Sequence, residues 1–431
     1  MDARRVAKLD RELGNYLDHF VDGLGRPERR EALRLYMTGL LLDGERKSVV
    51  PMAGRLVDAA SEVEAMRQRL QQAVTISAWR DEQMLERLAA KLDAELPGVQ
   101  ALVIDDTGFA KKGVHSVGVQ RQYSGTLGRI DNCQVAVSLH LAGDSGSGMI
   151  AFRLFLPENW AVDDTRRETV GVPDEVRFET KGEIALKQLD WALAVGVRRH
   201  VVLADAGYGD SGDFRDGLVA RNLRYVVAVN GEPVVWPPGS TPKIKAKARG
   251  TVGRPPSRHQ DDEHPPVALK RLAPTLAFRR VSWREGSKGW QSGNFAAVRV
   301  RTAHRHKEGR PPGEEQWLLC QRTDDAKTPF KFWLSNLPPT TAISSLVRYA
   351  KLRWRIERDY QELKQELGLD HFEGRTWRGF HHHATLCAVA HGFLALRRAL
   401  FPPEAHDVDA ADGATCTPAG AAPPDRLLPA V

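Results

Sequence analysis

The order of apolar runs between residues 99 and 230 constrains the fold most strongly. ALVIDD, at 101–106, is a short apolar run that ends in two acids, and the runs at 133–143 and 148–157 alternate like strands and end at Gly or Pro. A helically spaced segment at 181–195 comes next, followed by a buried-type strand, a second helix and another buried-type strand. This order predicts a mixed α/β sheet that begins with antiparallel strands.

The composition and periodicity of the chain change on both sides of this core, and these changes predict five regions. Residues 1–95 keep a helical period, and residues 96–230 hold the first part of the α/β core. Residues 231–337 combine a basic, Pro- and Gly-rich loop with short strand-like pieces, which predicts a β-rich insertion. Helices resume at 338–400 in the C-terminal part of the core. The Pro-, Ala- and Gly-rich residues 401–431 predict a disordered tail.

The charge of the chain is unevenly distributed. A hydrophobic content of 42% and a charged content of 27% are ordinary for a globular protein, and the formal net charge is +7. The stretch KIKAKARGTVGRPPSR, at 243–258, contains six basic residues and no acidic one, which leaves +1 on the rest of the chain. A basic stretch of this kind indicates a polyanionic partner.

The cysteines and the hydropathy pattern bound the cellular compartment. Four cysteines lie far apart with no CxxC motif, which predicts a reducing environment and gives no zinc signature. The N-terminus, MDARRVAKLDREL, is charged from the start, so we expect no signal peptide. Apolar runs stay well short of the roughly 18 residues that span a bilayer. We therefore expect a cytoplasmic protein of bacterial type with no membrane partner.

Residues 349–367, YAKLRWRIERDYQELKQEL, predict one continuous helix, because they are good helix formers and include neither Gly nor Pro. At about 100° per residue, one stripe of this helix carries a carboxylate flanked by two cations and two phenols. Its members are Tyr349, Arg353, Glu357, Tyr360 and Lys364. Charges at this spacing usually pair on a solvated helix surface, so the helix alone favours that ordinary interpretation.

Two more carboxylates favour a functional site over the solvated helix surface, because each follows a predicted strand. Asp105 comes after the apolar run that ends at position 104, and Asp205 comes after VVLA. Strand-end side chains project from the edge of a sheet, where they can converge with Glu357. Three carboxylates suit a hard divalent cation such as Mg²⁺, and two such ions roughly 4 Å apart can promote displacement at a phosphodiester. Spacing alone is weak evidence, since a strand-end Asp is often only a helix cap.

Longer motifs carry a family resemblance. They are IDDTGFAKKGVHSVGVQRQYSGTLGRIDNCQVAVSLHLA (104–142), LPENWAVDDTRR (156–167), VVLADAGYG (201–209), WLSNLP (333–338) and LRWRIERDYQELKQELGLDHFEGRTWRGFHHH (352–383). In this order the chain resembles the DDE transposases of the IS4-like superfamily, most closely the IS701 family. The resemblance implies an α/β, ribonuclease-H-like catalytic core with a β-rich insertion before the last catalytic helix. It also implies an N-terminal helical domain that binds DNA.

The resemblance implies an activity and its cofactors. Asp105, Asp205 and Glu357 would be the catalytic triad and would bind two Mg²⁺ ions, with Mn²⁺ as a substitute; Asp106 is the alternative to Asp105. The reaction would be strand cleavage and strand transfer at the ends of an insertion sequence. The partner would be double-stranded DNA, namely the terminal inverted repeats and the target site. Because two ends must be paired, we expect a homodimer on DNA, associated with the nucleoid when bound.

The superfamily's Tyr–Arg–Glu–Lys signature implies further DNA contacts. Arg353 and Lys364 stand where the signature requires them, four residues before and seven residues after the Glu. The tyrosine is expected at position 350, which is Ala350, and Tyr349 stands one residue early. Cations at these places can hold DNA phosphates. Three more basic residues near the first acid are candidates for backbone contacts, although ordinary surface side chains explain them equally well: Lys111, Lys112 and Arg121.

Two other functions stay open on the sequence. One is a domesticated, non-catalytic DNA-binding protein, and the other is a ribonuclease-H-like nuclease acting on branched DNA or RNA hybrids. The N-terminal region and the insertion favour the transposase, since a minimal nuclease core needs neither. The triplet at 381–383, HHH, is not predicted to be a metal site, because neighbouring residues on a helix point about 100° apart.

Overall fold

The computed structural model describes residues 3–245, 258–286 and 289–401. Most of the basic loop of the insertion, at 246–257, lies outside the described residues, and so does the predicted tail from 402 onward. None of the helices within the described ranges is both long and apolar enough to cross a membrane.

The N-terminal segment is helical, as its spacing of apolar residues predicts. Helix α2 begins with Pro27, whose ring favours the first position of a helix, and α5 begins with Asp81 and Glu82, whose charges suit a helix N-terminus. The inward faces of these helices bury leucine and methionine side chains, including Leu33 and Leu88. The five helices are α1 (Ala3–Val21), α2 (Pro27–Leu41), α3 (Val49–Arg55), α4 (Val63–Thr75) and α5 (Asp81–Glu95).

An antiparallel meander follows and begins the sheet. Its strands are β1 (Val99–Ala110), β2 (Gln120–Ser124), β3 (Arg129–Gly143) and β4 (Ser147–Leu154). Strand β3 pairs with β1 along one edge and with both β2 and β4 along the other. In the β1–β3 register Asp105 lies opposite Ser138, and Asp106 lies opposite Val137. The antiparallel start that the sequence predicts is present.

Two parallel strands then extend the sheet on the far side of β1. The elements are α6 (Glu158–Ala161), α7 (Asp164–Val170), α8 (Lys181–Ala194), β5 (Val201–Ala204), α9 (Ala206–Gly209), α10 (Gly212–Ala220) and β6 (Tyr225–Val229). Helix α8 begins at a capping box, in which Thr180 and Glu183 satisfy each other's backbone amides. Strand β5 pairs in parallel with both β1 and β6. The sheet is therefore mixed.

The segment predicted to be a β-rich insertion continues the same sheet. Its elements are β7 (Val234–Trp236), β8 (Lys243–Ile244), β9 (His259–Gln260), β10 (Val267–Ala268), α11 (Leu269–Leu272), β11 (Arg279–Arg284), β12 (Trp290–Thr302), β13 (Glu315–Arg322) and β14 (Phe330–Ser335). Strand β14 pairs antiparallel with β6, and the path runs β10-β7-β12-β13-β14-β6-β5-β1-β3-β2. Strand β11 joins at β12, β4 joins at β3, and β8 and β9 form a separate ribbon.

The prediction of one continuous helix over 349–367 is wrong. The chain forms α12 (Ile343–Leu352) and α13 (Trp354–Gln365), with a break at Arg353. There the amide of Ile356 donates to the carbonyl of Arg353, three residues back, at 3.1 Å, so the α-helical ladder gives way to a tighter turn. Leu352 and Ile356, on either side, are both buried. Local propensity predicts the helices but not this interruption.

The last helix, α14 (Trp377–Leu400), is buried along most of its length and packs against β4, α2, α4 and α5. Its histidines face three different partners. His381 hydrogen-bonds to the Trp377 carbonyl, His382 to the Val74 carbonyl and His383 to the Tyr36 hydroxyl, each at 2.9 Å. Burial lowers the pKa of His381 to about 3 and those of the other two to about 4, so all three are neutral at pH 7.

The short α9 turn packs directly on the sheet, and this contact requires a glycine. A Cβ atom at Gly209 would overlap the backbone carbonyl of Ala228 in β6. Because the turn begins right after Asp205, the close approach also fixes where that acid lies. Gly54, in α3, has open space around its Cα and makes a matched control.

We predict that Gly209→Ala lowers the free energy of unfolding by roughly 1–3 kcal/mol, the usual cost of forcing extra volume into a packed site. Gly54→Ala should be neutral or stabilising by up to about 1 kcal/mol, since alanine favours helix. Urea unfolding midpoints of both variants and the parent protein measure the effect. Equal midpoints for Gly209→Ala and the parent would show that the turn can move away from β6.

Candidate active site

The predicted acids meet where β1 and β5 lie side by side. In the parallel register Ile104 pairs with Ala204, so Asp105 and Asp205 each follow a paired position. Asp205 is the N-cap of α9, and its carboxylate accepts a long hydrogen bond from the Tyr208 amide, at 3.4 Å. The cap role that the sequence offers as the ordinary explanation is therefore present. It is compatible with a second role, because a carboxylate has several lone pairs.

Arg353 links the first and third acids of the predicted triad. Its Nη1 donates to Asp105 Oδ2 at 2.7 Å, and its Nη2 donates to Glu357 Oε1 at 3.1 Å. The side chain of Asp105 is 15% exposed and that of Arg353 is 28% exposed, whereas Glu357 is 67% exposed. The guanidinium fork thus connects a buried acid of the sheet to an exposed acid of α13.

The buried acids have perturbed pKa values. Burial raises the pKa of Asp105 to about 7; Arg353 opposes this rise, and the negative charges of Asp205 and Asp106 add to it. Burial also raises the pKa of Asp205, again opposed by Arg353 and increased by Asp106. Negative charge at this edge of the sheet is therefore not fully balanced. Such shifted carboxylates are typical of functional sites.

Asp106, the alternative first acid, has a cation of its own. Lys181, the first residue of α8, places Nζ 2.7 Å from Asp106 Oδ2. The two acids of β1 are thus held by different partners, and Asp105 is the one that shares Arg353 with Glu357. Sequence reasoning missed Lys181. Only its place at the start of a helix marks it, and that place does not indicate what it contacts.

In the observed arrangement, the three predicted acids form only part of a site for a hard cation. Across the described ranges no three His, Cys, Asp or Glu side chains lie close enough together to hold a metal ion. Asp105 and Asp205 are partly buried carboxylates, and carboxylate oxygens are the ligands that Mg²⁺ prefers. Glu357 is turned toward Arg353 and is exposed enough to rotate. The carboxylate chemistry of these residues is of the kind that a divalent cation binds, but Arg353 occupies one oxygen each of Asp105 and Glu357.

Comparison with known proteins decides the family. Residues 19–290, more than half of the chain, match the family described as DDE superfamily endonuclease. The chain belongs to this family. It is also 31% identical over 207 residues to the "Probable transposase for insertion sequence element IS701" of Microchaete diplosiphon. That match covers 48% of this chain and 50% of the relative, so it spans about half the length of each. The IS701 resemblance is thus confirmed.

Lys364 is held against the site rather than extended into solvent. Its Nζ donates to the Gly108 carbonyl at 2.8 Å and lies 5.0 Å from the centre of the Phe109 ring. Burial lowers its pKa to about 8. The ammonium is therefore anchored to β1 three residues beyond Asp105, close to the acids but already hydrogen-bonded.

The other predicted DNA contacts differ in exposure. Lys112 and Arg121 are exposed, whereas Lys111 is partly buried and donates to the Phe372 carbonyl at 3.0 Å. Burial lowers the pKa of Lys111. Tyr349 is partly buried and packs against the apolar cluster beneath α12. Of the two predicted tyrosines, Tyr360 is the one that faces the acids. Burial raises the pKa of its hydroxyl, and the charge of Asp105 raises it further.

A buried polar network behind the site escaped sequence reasoning. The Tyr360 hydroxyl lies 2.6 Å from Ser138 Oγ, which lies 3.0 Å from His140 Nε2. His140 Nδ1 is 2.7 Å from Asp359 Oδ2, and Ser147 donates to the other oxygen of that carboxylate at 2.6 Å. These bonds fix α13 to β3 and β4. Period-2 alternation places Ser138 and His140 on one face, but it cannot indicate which helix covers them.

We predict that Asp105→Asn stabilises the protein at pH 8 and much less at pH 5. A folded pKa of about 7 exceeds the unfolded value, so the folded protein loses stability as pH rises from about 4 through 7. Asparagine cannot ionise and escapes this loss, a gain of roughly 1–4 kcal/mol at about 1.4 kcal/mol per pKa unit. Urea unfolding at both pH values measures it. Asp190→Asn, a half-exposed acid of α8, is the control with the same charge change.

A stabilisation of Asp105→Asn that is equal at pH 5 and pH 8, or absent at both, would contradict this interpretation. It would mean that Arg353 compensates the carboxylate fully in the folded protein.

Proposed function

We propose that this DDE endonuclease is a transposase that cuts and rejoins DNA at the ends of an insertion sequence. One observation carries the proposal: Arg353 hydrogen-bonds to both Asp105 and Glu357, and Asp205 follows the strand beside the one that carries Asp105. The DDE family and the similarity to an IS701 transposase support it.

Asp105, Asp205 and Glu357 would hold the metal, with Asp106 as the alternative to Asp105. The carboxylate chemistry of these donors favours Mg²⁺, and two ions are proposed on the precedent of phosphoryl-transfer sites. When bound, the ions activate the attacking oxygen and stabilise the leaving oxygen at the phosphodiester. Asp105 and Asp205 would supply oxygen ligands at the sheet edge, and the network behind α13 would hold the helix that carries Glu357.

The cations around the acids would hold the DNA backbone. Arg353 offers a planar fork that matches phosphate as well as it matches carboxylate. Lys364 supplies a fixed charge next to β1, and exposed Lys112 and Arg121 extend the basic surface beyond the strand. Tyr349, held in the apolar cluster, would support α12 rather than contact phosphate directly.

The wider assembly follows from the reaction. Two ends of an element must be brought together, so we propose a homodimer on double-stranded DNA, at the nucleoid. Residues 1–95 and the basic segment of the 231–337 insertion would bind the terminal inverted repeats. Residues 96–230 and 338–400 would form the ribonuclease-H-like core. The target site is the second DNA partner.

A non-catalytic DNA-binding protein is the second candidate, and one observation favours it. Glu357 is largely exposed and bonded to Arg353, so the described residues hold no preassembled three-carboxylate metal site. A ribonuclease-H-like nuclease stays an alternative on the core alone. Strand cleavage at element ends separates the transposase from both.

We predict that Glu357→Gln lowers strand cleavage by roughly 100-fold or more and leaves DNA binding intact, because an amide removes one anionic metal ligand worth several kcal/mol in the transition state. The assay uses a labelled duplex carrying the element's own flanking DNA, with Mg²⁺ or with EDTA. Glu366→Gln, an exposed change near the end of the same helical region, is the matched control and should cleave normally.

Asp205→Ala should abolish nicking in the same assay. Cleavage retained in Glu357→Gln or Asp205→Ala would refute the triad. Binding without nicking by the parent protein would favour the non-catalytic candidate, and cleavage of hybrids that is independent of element ends would favour the nuclease.

A further inference from the structure

We propose that Arg353 couples metal binding to DNA binding. In the free protein its guanidinium occupies the oxygens of Asp105 and Glu357 that a cation needs, and a DNA phosphate draws it away and releases both. This inference rests on the proposed function, since it takes DNA as the partner of the site. It adds an order of events that neither the family nor the triad assignment specifies.

The contact that blocks the acids consists of two hydrogen bonds from the Arg353 guanidinium. One guanidinium nitrogen lies 2.7 Å from Asp105 Oδ2 and another lies 3.1 Å from Glu357 Oε1. Charge-assisted hydrogen bonds of this type are the strong ones in proteins. A dication beside a guanidinium would also be repelled by it. A metal ion that binds to the free protein therefore has to break two hydrogen bonds of Arg353 and overcome repulsion by its guanidinium.

The guanidinium has a route away from the acids. Arg353 stands at the break between α12 and α13, its side chain is 28% exposed, and Glu357 is 67% exposed. Rotation toward solvent consequently disturbs little of the core. A phosphate offers the fork an equivalent set of acceptor oxygens, so the exchange of carboxylate for phosphate conserves the hydrogen bonding of the arginine.

The two neighbouring lysines of the site have other partners. Lys181 pairs with Asp106, and Lys364 donates to the Gly108 carbonyl. Among the ion pairs of the described residues, Arg353 is the cation that bridges two members of the triad. When it leaves, Asp105 and Asp205 lose a compensating charge, and a divalent cation becomes the favourable replacement. Linkage requires the reverse effect as well: the metal strengthens DNA binding by the same factor.

The test measures Mn²⁺ binding directly, from the electron paramagnetic resonance signal of the free ion. The proteins are the parent, Arg353→Gln, Arg353→Lys and Arg348→Gln, each with and without a duplex carrying the element's flanking DNA. DNA should tighten Mn²⁺ binding to the parent by 5- to 150-fold, the usual range of such coupling. Without DNA, Arg353→Gln should bind Mn²⁺ tighter than the parent by a similar factor and gain less from DNA.

Two variants separate the blocking contact from simple charge. Arg353→Lys keeps the positive charge but replaces the fork by a single ammonium, so it should also bind Mn²⁺ tighter than the parent without DNA. Arg348→Gln removes a charge from α12 at an exposed residue paired with Asp144, and it should leave Mn²⁺ binding unchanged. Equal Mn²⁺ affinities for the DNA-free parent, Arg353→Gln and Arg353→Lys would overturn the proposal.

The proposal and the proposed function fail in different ways. If the parent nicks element ends but its Mn²⁺ affinity does not depend on Arg353, the coupling is wrong and the transposase stands. If the Arg353 variants bind Mn²⁺ tighter and DNA tightens binding to the parent, but no protein nicks, the coupling stands and the non-catalytic candidate is favoured. Folding of the variants is checked by their urea unfolding midpoints, because Arg353 is itself proposed to contact the duplex.

Discussion

Carboxylates that gather at one edge of a sheet repel one another, and the site of this protein depends on how that repulsion is balanced. Asp106 is neutralised by Lys181, whereas Asp105 and Asp205 are buried together with Arg353 as their nearby counter-charge. Burial is the main cause of the raised pKa values of Asp105 and Asp205; the neighbouring carboxylates add to the rise, and Arg353 opposes it. In the function that we propose, the same arrangement prepares the oxygens for a divalent cation and the arginine for a phosphate.

The surrounding strands and helices keep the acids close together in spite of their repulsion. Strand β1 lies between β3 and β5, so the strand that carries Asp105 is paired on both sides. On the other side of the site, the buried pair of His140 and Asp359 fixes α13 to the meander. Burial lowers the pKa of His140, so this hydrogen bond joins a neutral imidazole to the carboxylate, and removing either partner would leave a buried polar group unsatisfied. The strand that carries Asp105 and the helix that carries Glu357 are thus both held by contacts away from the acids.

The insertion is part of this frame. Because β14 pairs with β6, the β-rich segment extends the core sheet edge to edge and brings the chain back to the site at α12. Lys351, at the end of α12, lies over the rings of Trp283 and Trp333 of that segment. A change in the insertion could thus reach Arg353 through one helix. The β-rich segment and the acids thus have a common mechanical support.

The sequence by itself determined the elements and the chemistry: strand-type runs ending in Asp105 and Asp205, helical spacing around Glu357, and an oxygen-donor set that suits a hard cation. Propensity and periodicity are local, so they suffice for these. Tertiary structure alone decided the break at Arg353, the partner of Asp106, and the pairing of the insertion with β6. Each of these depends on which residues meet across long stretches of chain, where burial and ion pairing outweigh local preference.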